Sequence, residues 1–126
     1  MKPPRTIAAR RRAERRGKAA EWLCRWHLRL HGWQILARGW RCPAGEIDIL
    51  ARRGAVLAVI EVKARADLPT AASALLRRQR RRIARAAEAF LLSRPDLAGL
   101  TLRFDVMLVQ RLQPPRHWRD AWRSDE

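Results

Sequence analysis

The stretch GEIDILARRGAVLAVIEVKAR, from Gly45 to Arg65, predicts two short β-strands joined by a tight turn. Its two halves, Glu46 to Ala51 and Val56 to Val62, are rich in Ile, Val and Leu, which favour strands. The Arg-Arg-Gly-Ala segment between them supplies the turn, since Gly54 tolerates the positive φ that tight hairpin turns require. We therefore expect a β-hairpin at the centre of the fold.

Ionisable side chains interrupt these apolar strands. Glu61 lies inside the run LAVIEV, where an unpaired carboxylate costs several kcal/mol. Because side chains alternate between the two faces of a strand, Glu46 and Asp48 are expected on one face of the first strand and Ile47 and Ile49 on the other. The hairpin therefore carries acids at positions that its sequence otherwise marks as buried.

The two strands are expected to bring acids together. Glu61 and Lys63 share a face of the second strand, and a hairpin loop of about four residues sets Asp48 opposite Glu61. Two neighbouring carboxylates in an apolar setting repel unless a cation lies between them, and an oxygen-ligated ion such as Mg²⁺ meets that need. The alternative is a surface hairpin in which the lysine only neutralises an acid. The solvent-exposed face of that hairpin would hold Glu46, Asp48, Glu61 and Lys63.

Composition points to a polyanionic partner. The chain has 126 residues, a net charge of +16 and a sequence pI near 11.8, which favours nucleic acid as partner.

The sequence has no apolar run of the roughly 20 residues that cross a membrane, and its basic N-terminus lacks the apolar core of a signal peptide. Cys24 and Cys42 have no metal-ligand spacing and are expected to be reduced thiols, with Cys24 packed, so we expect a cytoplasmic protein without membrane contact.

The chain divides into three parts by composition. Residues 1–16 are expected to form a basic, partly disordered arm, residues 17–112 one globular domain, and residues 113–126 a tail that packs on it.

The first helix is expected to end at Leu30 and to be sandwiched between neighbouring elements, because it has two apolar stripes. Glu21 lies on the narrower stripe; its alternative role is an exposed acid paired with Arg25.

The remaining elements follow from periodicity and breakers. Further strands are expected at Trp33 to Ala37 and Leu100 to Val109. A second helix is expected to begin near Thr70 or Ser73 and to end at Ser93, with a dense face of arginines that suits phosphate contact. In the tail, two tryptophans four residues apart predict one turn of helix. The order of elements predicts an α/β fold in which helices flank a mixed sheet of about four strands.

The pattern D-x₁₂-E-x-K, formed by Asp48, Glu61 and Lys63, resembles the motif of PD-(D/E)xK nucleases. The surrounding words, G-E-I-D from Gly45 and E-V-K-x-R ending at Arg65, resemble the YraN family of bacterial endonuclease-like proteins. Similarity continues through the glutamate at position 21, the G-x-x-I-L-A-R run at 32–38, Arg-Gln at 78–79 and R-F-D-V at 103–106. One departure is Gly39, where the family usually has Asn.

This resemblance implies a restriction-endonuclease-like fold, near the Holliday-junction resolvases, and a DNA endonuclease dependent on Mg²⁺ or Mn²⁺. Asp48 and Glu61 would hold the metal with the Val62 carbonyl, and Glu21 would complete the shell. Lys63 would orient a water or stabilise developing charge. The nucleic-acid contacts are expected from the basic arm and from the following residues: Arg65, Arg78, Gln79 and Arg82.

Other functions remain open from the sequence. The main alternative is a nucleic-acid-binding protein that keeps the nuclease fold without catalysis. A small ribosome-associated protein would account for the charge but not for acids inside an apolar hairpin. Because resolvase-like enzymes often pair to cut two strands, the resemblance also raises a homodimer as an option.

Overall fold

The computed structural model describes residues 7–64 and 77–124 of the chain. Within these residues it has a mixed α/β fold, a five-stranded open sheet with one helix packed on each face. In chain order the elements are α1 (Ile7–Leu30), β1 (Gln34–Cys42), β2 (Gly45–Arg53), β3 (Val56–Lys63), α2 (Arg77–Ser93), a 3₁₀ turn (Pro95–Leu97), β4 (Thr101–Leu108) and β5 (Arg116–Trp122). None of the described helices is long and apolar enough to cross a membrane.

The five strands lie in the sheet in chain order, from β1 to β5. Neighbouring strands are antiparallel except β3 and β4, which are parallel and joined by the segment that contains α2. The predicted hairpin of β2 and β3 is confirmed, although its turn is only the two residues Gly54 and Ala55. Its register pairs Ile49 with Ile60, and one step further along it Asp48 stands opposite Glu61.

Each face of the sheet has its own apolar core. The larger core joins α2 to the sheet and includes Leu57, Phe90 and Val106. The smaller core joins α1 to the opposite face through Cys24, Leu28 and neighbouring strand residues. The prediction that Cys24 is packed is confirmed, since its side chain is fully buried.

The structure corrects the number of strands and the form of the tail. β1 extends to Cys42, beyond the predicted end at Ala37, and the tail forms a fifth strand instead of a helical turn. Trp118 and Trp122 lie on β5, and Trp122 stacks on Phe104 with ring centroids 4.1 Å apart. A spacing of four residues repeats on the same face of a regular strand as well as on a helix, so it does not discriminate between them.

The prediction that α1 is sandwiched is wrong. Cys24 and Leu28 of its narrower stripe are buried against the sheet, but the wider stripe faces solvent. The large exposed side chains of the wider stripe are Trp22, Leu23, Trp26 and Leu30. Apolar periodicity shows which side chains share a face of a helix, but only the tertiary structure decides whether a second layer covers that face.

Several expected features lie outside the described residues. These are the first six residues of the basic arm, Arg65 and the start of the second helix at Thr70 or Ser73. The described part of that helix ends at Ser93 as predicted.

Candidate functional site

The centre of the site is a hydrogen bond between neighbouring strands. The main-chain amide of Val62 on β3 donates to Oδ2 of Asp48 on β2 over 2.9 Å. Backbone pairing between these two strands ends at Ile49 and Ile60. Beyond that pair, the Asp48 carboxylate replaces a backbone carbonyl as the acceptor for the Val62 amide. Because the N–H and C=O of one strand residue point to the same side, the Val62 carbonyl lies on the side of β3 that faces β2.

Glu61 and Lys63 lie beside this bond on β3. Lys63 Nζ is 3.7 Å from Glu61 Oε1, and the two side chains are only 17% and 20% exposed. Burial raises the pKa of Glu61 to about 8, repulsion from Asp48 adds to the rise, and Lys63 opposes it. Asp48, Glu61 and Lys63 are called the hairpin site below. In this site the acids are held close together at a cost to their charged forms.

Helix α1 brings Glu21 to the hairpin site. Burial raises the pKa of Glu21, and its charge repulsion and hydrogen bond with Asp48 act in the same direction. The pKa of Asp48 is also raised, chiefly by burial, while the amide of Val62 opposes the rise. Among the described residues Glu21 and Arg25 do not form an ion pair: the charge of Arg25 lowers the pKa of Glu21, but the hydrogen bond of Glu21 is with Asp48.

The strict alternation expected along β2 fails at Asp48. Ile47 packs in the core under α2, whereas Ile49 packs in the core under α1, so the two residues do not share a face. Opposite this point, between the pairs Arg38–Ile49 and Trp40–Ile47, β1 contains Gly39 with φ of +54°. Glycine adopts that conformation at little cost, and Asn is among the few other residues that tolerate it. The resulting irregularity accompanies the change of face at Asp48.

A cleft of about 220 Å³ opens from the hairpin site toward α2, and we call it the α2 cleft. Its lining residues are Gly45, Glu46, Glu61, Gln79, Arg82 and Ile83. A Cβ added to Gly45 would lie 3.2 Å from the carbonyl oxygen of Arg82, so the missing side chain lets α2 approach β2 closely. Of the predicted nucleic-acid contacts, Gln79 and Arg82 line this cleft with Glu61, while Arg78 is exposed on the same helix without lining it.

A second cleft, of about 260 Å³, lies between α1 and β1, and we call it the α1 cleft. Lys18, Glu21, Arg25, Arg38 and Gly39 line it. Its cations, Lys18, Arg25 and Arg38, are not among the nucleic-acid contacts predicted from the sequence. The cue that could have revealed them is the spacing of Lys18, Glu21 and Arg25, which puts the three residues on one side of a helix. Glu21 therefore lies in a basic cleft.

A second buried acid, Asp105, is hydrogen bonded to basic side chains and a main-chain amide of the protein. The side chain of Asp105 on β4 is fully buried and accepts hydrogen bonds from Arg103 (2.9 and 2.8 Å), from His117 (2.7 Å) and from the Asp120 amide (2.9 Å). Burial alone would raise the pKa of Asp105, but these hydrogen bonds outweigh it and lower the pKa below its ordinary value. Asp105 therefore fastens β5 to the sheet as a charged group.

Comparison with known proteins places the chain in a family. A family model described as "Uncharacterised protein family UPF0102" matches residues 20–109. The chain belongs to this family. The matched range includes Glu21 and the whole hairpin site, together with α2 and β4, whereas β5 lies beyond it.

Individual UPF0102 proteins resemble the chain over most of its length. A UPF0102 protein of Paramagnetospirillum magneticum is 50% identical over 121 residues, which cover 93% of this chain and 94% of the relative. One from Parvibaculum lavamentivorans is 52% identical over 88% of this chain and 84% of its own length. One from Methylorubrum extorquens is 46% identical over 97% and 96%. The similarity to these relatives therefore extends over most of the chain and is not confined to the hairpin site.

Proposed function

We propose that this UPF0102 protein is a divalent-metal-dependent DNA nuclease with a restriction-endonuclease-like fold, of the kind that its YraN-like motifs imply. The observation that carries the proposal is the Val62–Asp48 hydrogen bond of 2.9 Å. It fixes Asp48 across from Glu61, with Lys63 3.7 Å from that glutamate. Three residues that are separated in the sequence thereby form one polar site at the end of an apolar hairpin.

The donor atoms of the site fit a hard cation. Asp48 and Glu61 supply carboxylates, the Val62 carbonyl lies on the side of β3 that faces β2, and Glu21 adjoins Asp48. Oxygen donors suit Mg²⁺ and Mn²⁺. Within residues 7–64 and 77–124 no group of three or more His, Cys, Asp or Glu side chains is arranged to hold a metal. Mg²⁺ fits a smaller set, because it commonly takes one or two carboxylates and completes its shell with water and substrate phosphate.

A bound Mg²⁺ or Mn²⁺ would supply Lewis-acid stabilisation of the phosphate and activation of water at neutral pH. The remaining tasks belong to the protein. The Lys63 ammonium is held beside Glu61, from where it can position a water or stabilise negative charge that develops on the phosphate. Gln79 and Arg82 line the same cleft and can bind phosphate oxygens, which orients a strand without reading its sequence.

A second candidate is a nucleic-acid-binding protein that keeps the site without cleaving DNA. One observation favours it, namely that no group of three His, Cys, Asp or Glu side chains is arranged to hold a metal in the part of the chain that the structure describes. Both candidates share the basic surface, so DNA binding does not separate them. Cleavage and its dependence on metal do.

The test is incubation of purified protein with end-labelled linear, flapped and four-way DNA in Mg²⁺, Mn²⁺ or EDTA. The proposal expects cleavage with metal, none in EDTA, and none by Asp48→Asn or Lys63→Met purified in parallel. Glu88→Gln, at an exposed acid of α2, is the matched control and should cut like the parent. Equal cleavage by parent and Asp48→Asn would reveal a contaminating nuclease, and no cleavage of any substrate would favour the binding protein.

A further inference from the structure

Helix α1 presents two tryptophans to solvent. Trp22 and Trp26 are 52% and 47% exposed, and their rings meet edge to face with centroids 6.1 Å apart. The other four tryptophans of the chain, at positions 33, 40, 118 and 122, are buried or half-buried. Exposed Leu23 and Leu30 adjoin the pair, so α1 carries an apolar face that the described fold leaves uncovered. Exposed aromatic clusters of this kind mark interaction surfaces.

Cations border these aromatic rings. Lys18 is exposed four residues before Trp22, and the guanidinium of Arg29 lies 5.6 Å from the centre of the Trp26 ring. Residues three or four apart are neighbours on a helix surface, so Lys18, Trp22, Trp26 and Arg29 form one stripe with a cation at each end. We call this stripe the tryptophan face. It combines the two features that single-stranded nucleic acid requires, charge for its backbone and flat rings for its bases.

The tryptophan face is continuous with the α1 cleft. Lys18 belongs to both, because it also lines that cleft with Glu21, Arg25 and Arg38. Glu21, which hydrogen bonds with Asp48, directly precedes Trp22 in the helix. A strand that lies on the tryptophans can therefore continue past Lys18 toward the hairpin site.

We propose that the tryptophan face binds unpaired bases of a nucleic-acid strand by stacking, with Lys18 and Arg29 beside its phosphates. The link from this face to cleavage rests on the proposed function. With that link, the preferred substrates of the nuclease are those with a single-stranded segment next to the cleaved bond. A second copy of the chain is a poorer occupant. Each copy has a net charge of +16, and this face would bring the cations of both copies together.

The experiment measures binding by fluorescence anisotropy in EDTA, so that cleavage plays no part. The probes are a labelled oligothymidylate, an abasic strand of equal length and charge, and a duplex. The parent should bind oligothymidylate about tenfold more tightly than the abasic strand, since the abasic strand has no bases to stack on the two tryptophans. The double variant Trp22→Ala/Trp26→Ala should lose that preference, and Trp22→Phe/Trp26→Phe should restore most of it.

Matched measurements separate stacking from other effects. Leu92→Ala, at an exposed apolar residue of α2, should bind all three probes like the parent. The alanine variant should keep the parent's dependence of affinity on salt, because no charge is removed. Its melting temperature should match that of the parent, and if it fails to fold, the parent's preference for bases over abasic sugars still tests the proposal.

Three results would overturn the inference. The first is equal binding of the thymidine and abasic strands by the parent, and the second is a similar loss on all probes in the alanine variant. The third is a parent dimer that becomes monomeric in the alanine variant while strand binding stays unchanged, which would make the face a self-association surface. Failure of the proposed function looks different: base-dependent binding would persist in EDTA while no metal supported cleavage.

Discussion

The carboxylate of Asp48 accepts its hydrogen bond from the Val62 amide at the point where backbone pairing between β2 and β3 ends. A side chain that stands in for a backbone partner is held rigidly, because its acceptor atom completes the sheet. This fixed position sets Asp48 opposite Glu61 and beside Glu21, so the fold maintains a group of acids whose pKa values burial raises. A cluster of acids with raised pKa values is typical of functional sites, and it supports the metal site proposed above.

The first prediction concerns Glu61→Gln, which keeps the side-chain volume and removes the charge. If Glu61 is a metal ligand, the variant should melt in EDTA at or above the temperature of the parent, because repulsion with Asp48 is relieved. Mg²⁺ or Mn²⁺ should raise the melting temperature of the parent. At a metal concentration a hundred times Kd, binding adds about 2.7 kcal/mol to the free energy of unfolding, and the effect on the variant should be much smaller.

The control for this prediction is Glu88→Gln, an equal loss of charge at an exposed position, which should leave the metal response intact. If Glu61 is only the structural partner of Lys63, the outcome reverses. Glu61→Gln would then be less stable than the parent with or without metal, because a half-buried ammonium loses its partner. That result, with an unchanged metal response, would refute the metal-site assignment.

The second prediction is that the stability of the metal-free protein falls as pH rises toward 8. Folding raises the pKa of Glu61 from 4.5 to about 8, so the folded state holds a proton that the unfolded chain has released. Stability is therefore lost as pH increases through this window, by up to about 1.4 kcal/mol per pH unit for one full proton. Urea unfolding in EDTA at several pH values measures the slope.

The informative range for this measurement lies above pH 6.5. Below that value His27 acts in the opposite direction, because burial lowers its pKa from 6.5 and stability then falls on acidification. The difference between the parent and Glu61→Gln cancels such background groups. Parallel pH profiles for the two proteins would show that Glu61 is not the group responsible.

Much of the hairpin could be predicted from the sequence, because strand composition and a turn glycine determine it locally. An even loop predicts only that Asp48 and Glu61 share a face, whereas the register that sets them opposite each other comes from a turn of two residues instead of the expected four. The change of face at Asp48 could not be predicted, since it accompanies a φ of +54° at Gly39 on a different strand. The solvent exposure of Trp22 and Trp26 was also missed, because apolar periodicity does not show which faces tertiary packing covers.

The third prediction is that Asp105→Asn destabilises the fold by about 3–5 kcal/mol, because it leaves buried donors without their charged partner. Asp96→Asn is a matched control, since Arg94 and Asp96 form the same two-bond pairing at the same spacing in an exposed position. Its cost should be far smaller, because solvent screens an exposed ion pair. Equal costs in urea unfolding would mean that the Asp105 cluster does not fasten β5.

The fourth prediction compares two glycines. Gly45→Ala should destabilise the protein by about 1–3 kcal/mol, because the new methyl group meets the main chain of Arg82 at 3.2 Å and pushes α2 from the sheet. Gly17→Ala has open space around its Cβ in α1 and should stabilise by about 0.5–1 kcal/mol through helix propensity. Changes of the same sign would contradict the close approach of α2.

The fifth prediction concerns Arg82, which is exposed and lines the α2 cleft with Glu61. If it binds a phosphate, Arg82→Gln should weaken duplex binding across sequences and reduce the slope of log affinity against log salt by about 0.9. Arg123→Gln, an equal loss of charge after the end of β5 and away from the hairpin site, should leave the slope unchanged. Equal changes in slope would mean that the whole basic surface binds DNA diffusely, whereas a change confined to Arg82 supports a strand path along the α2 cleft.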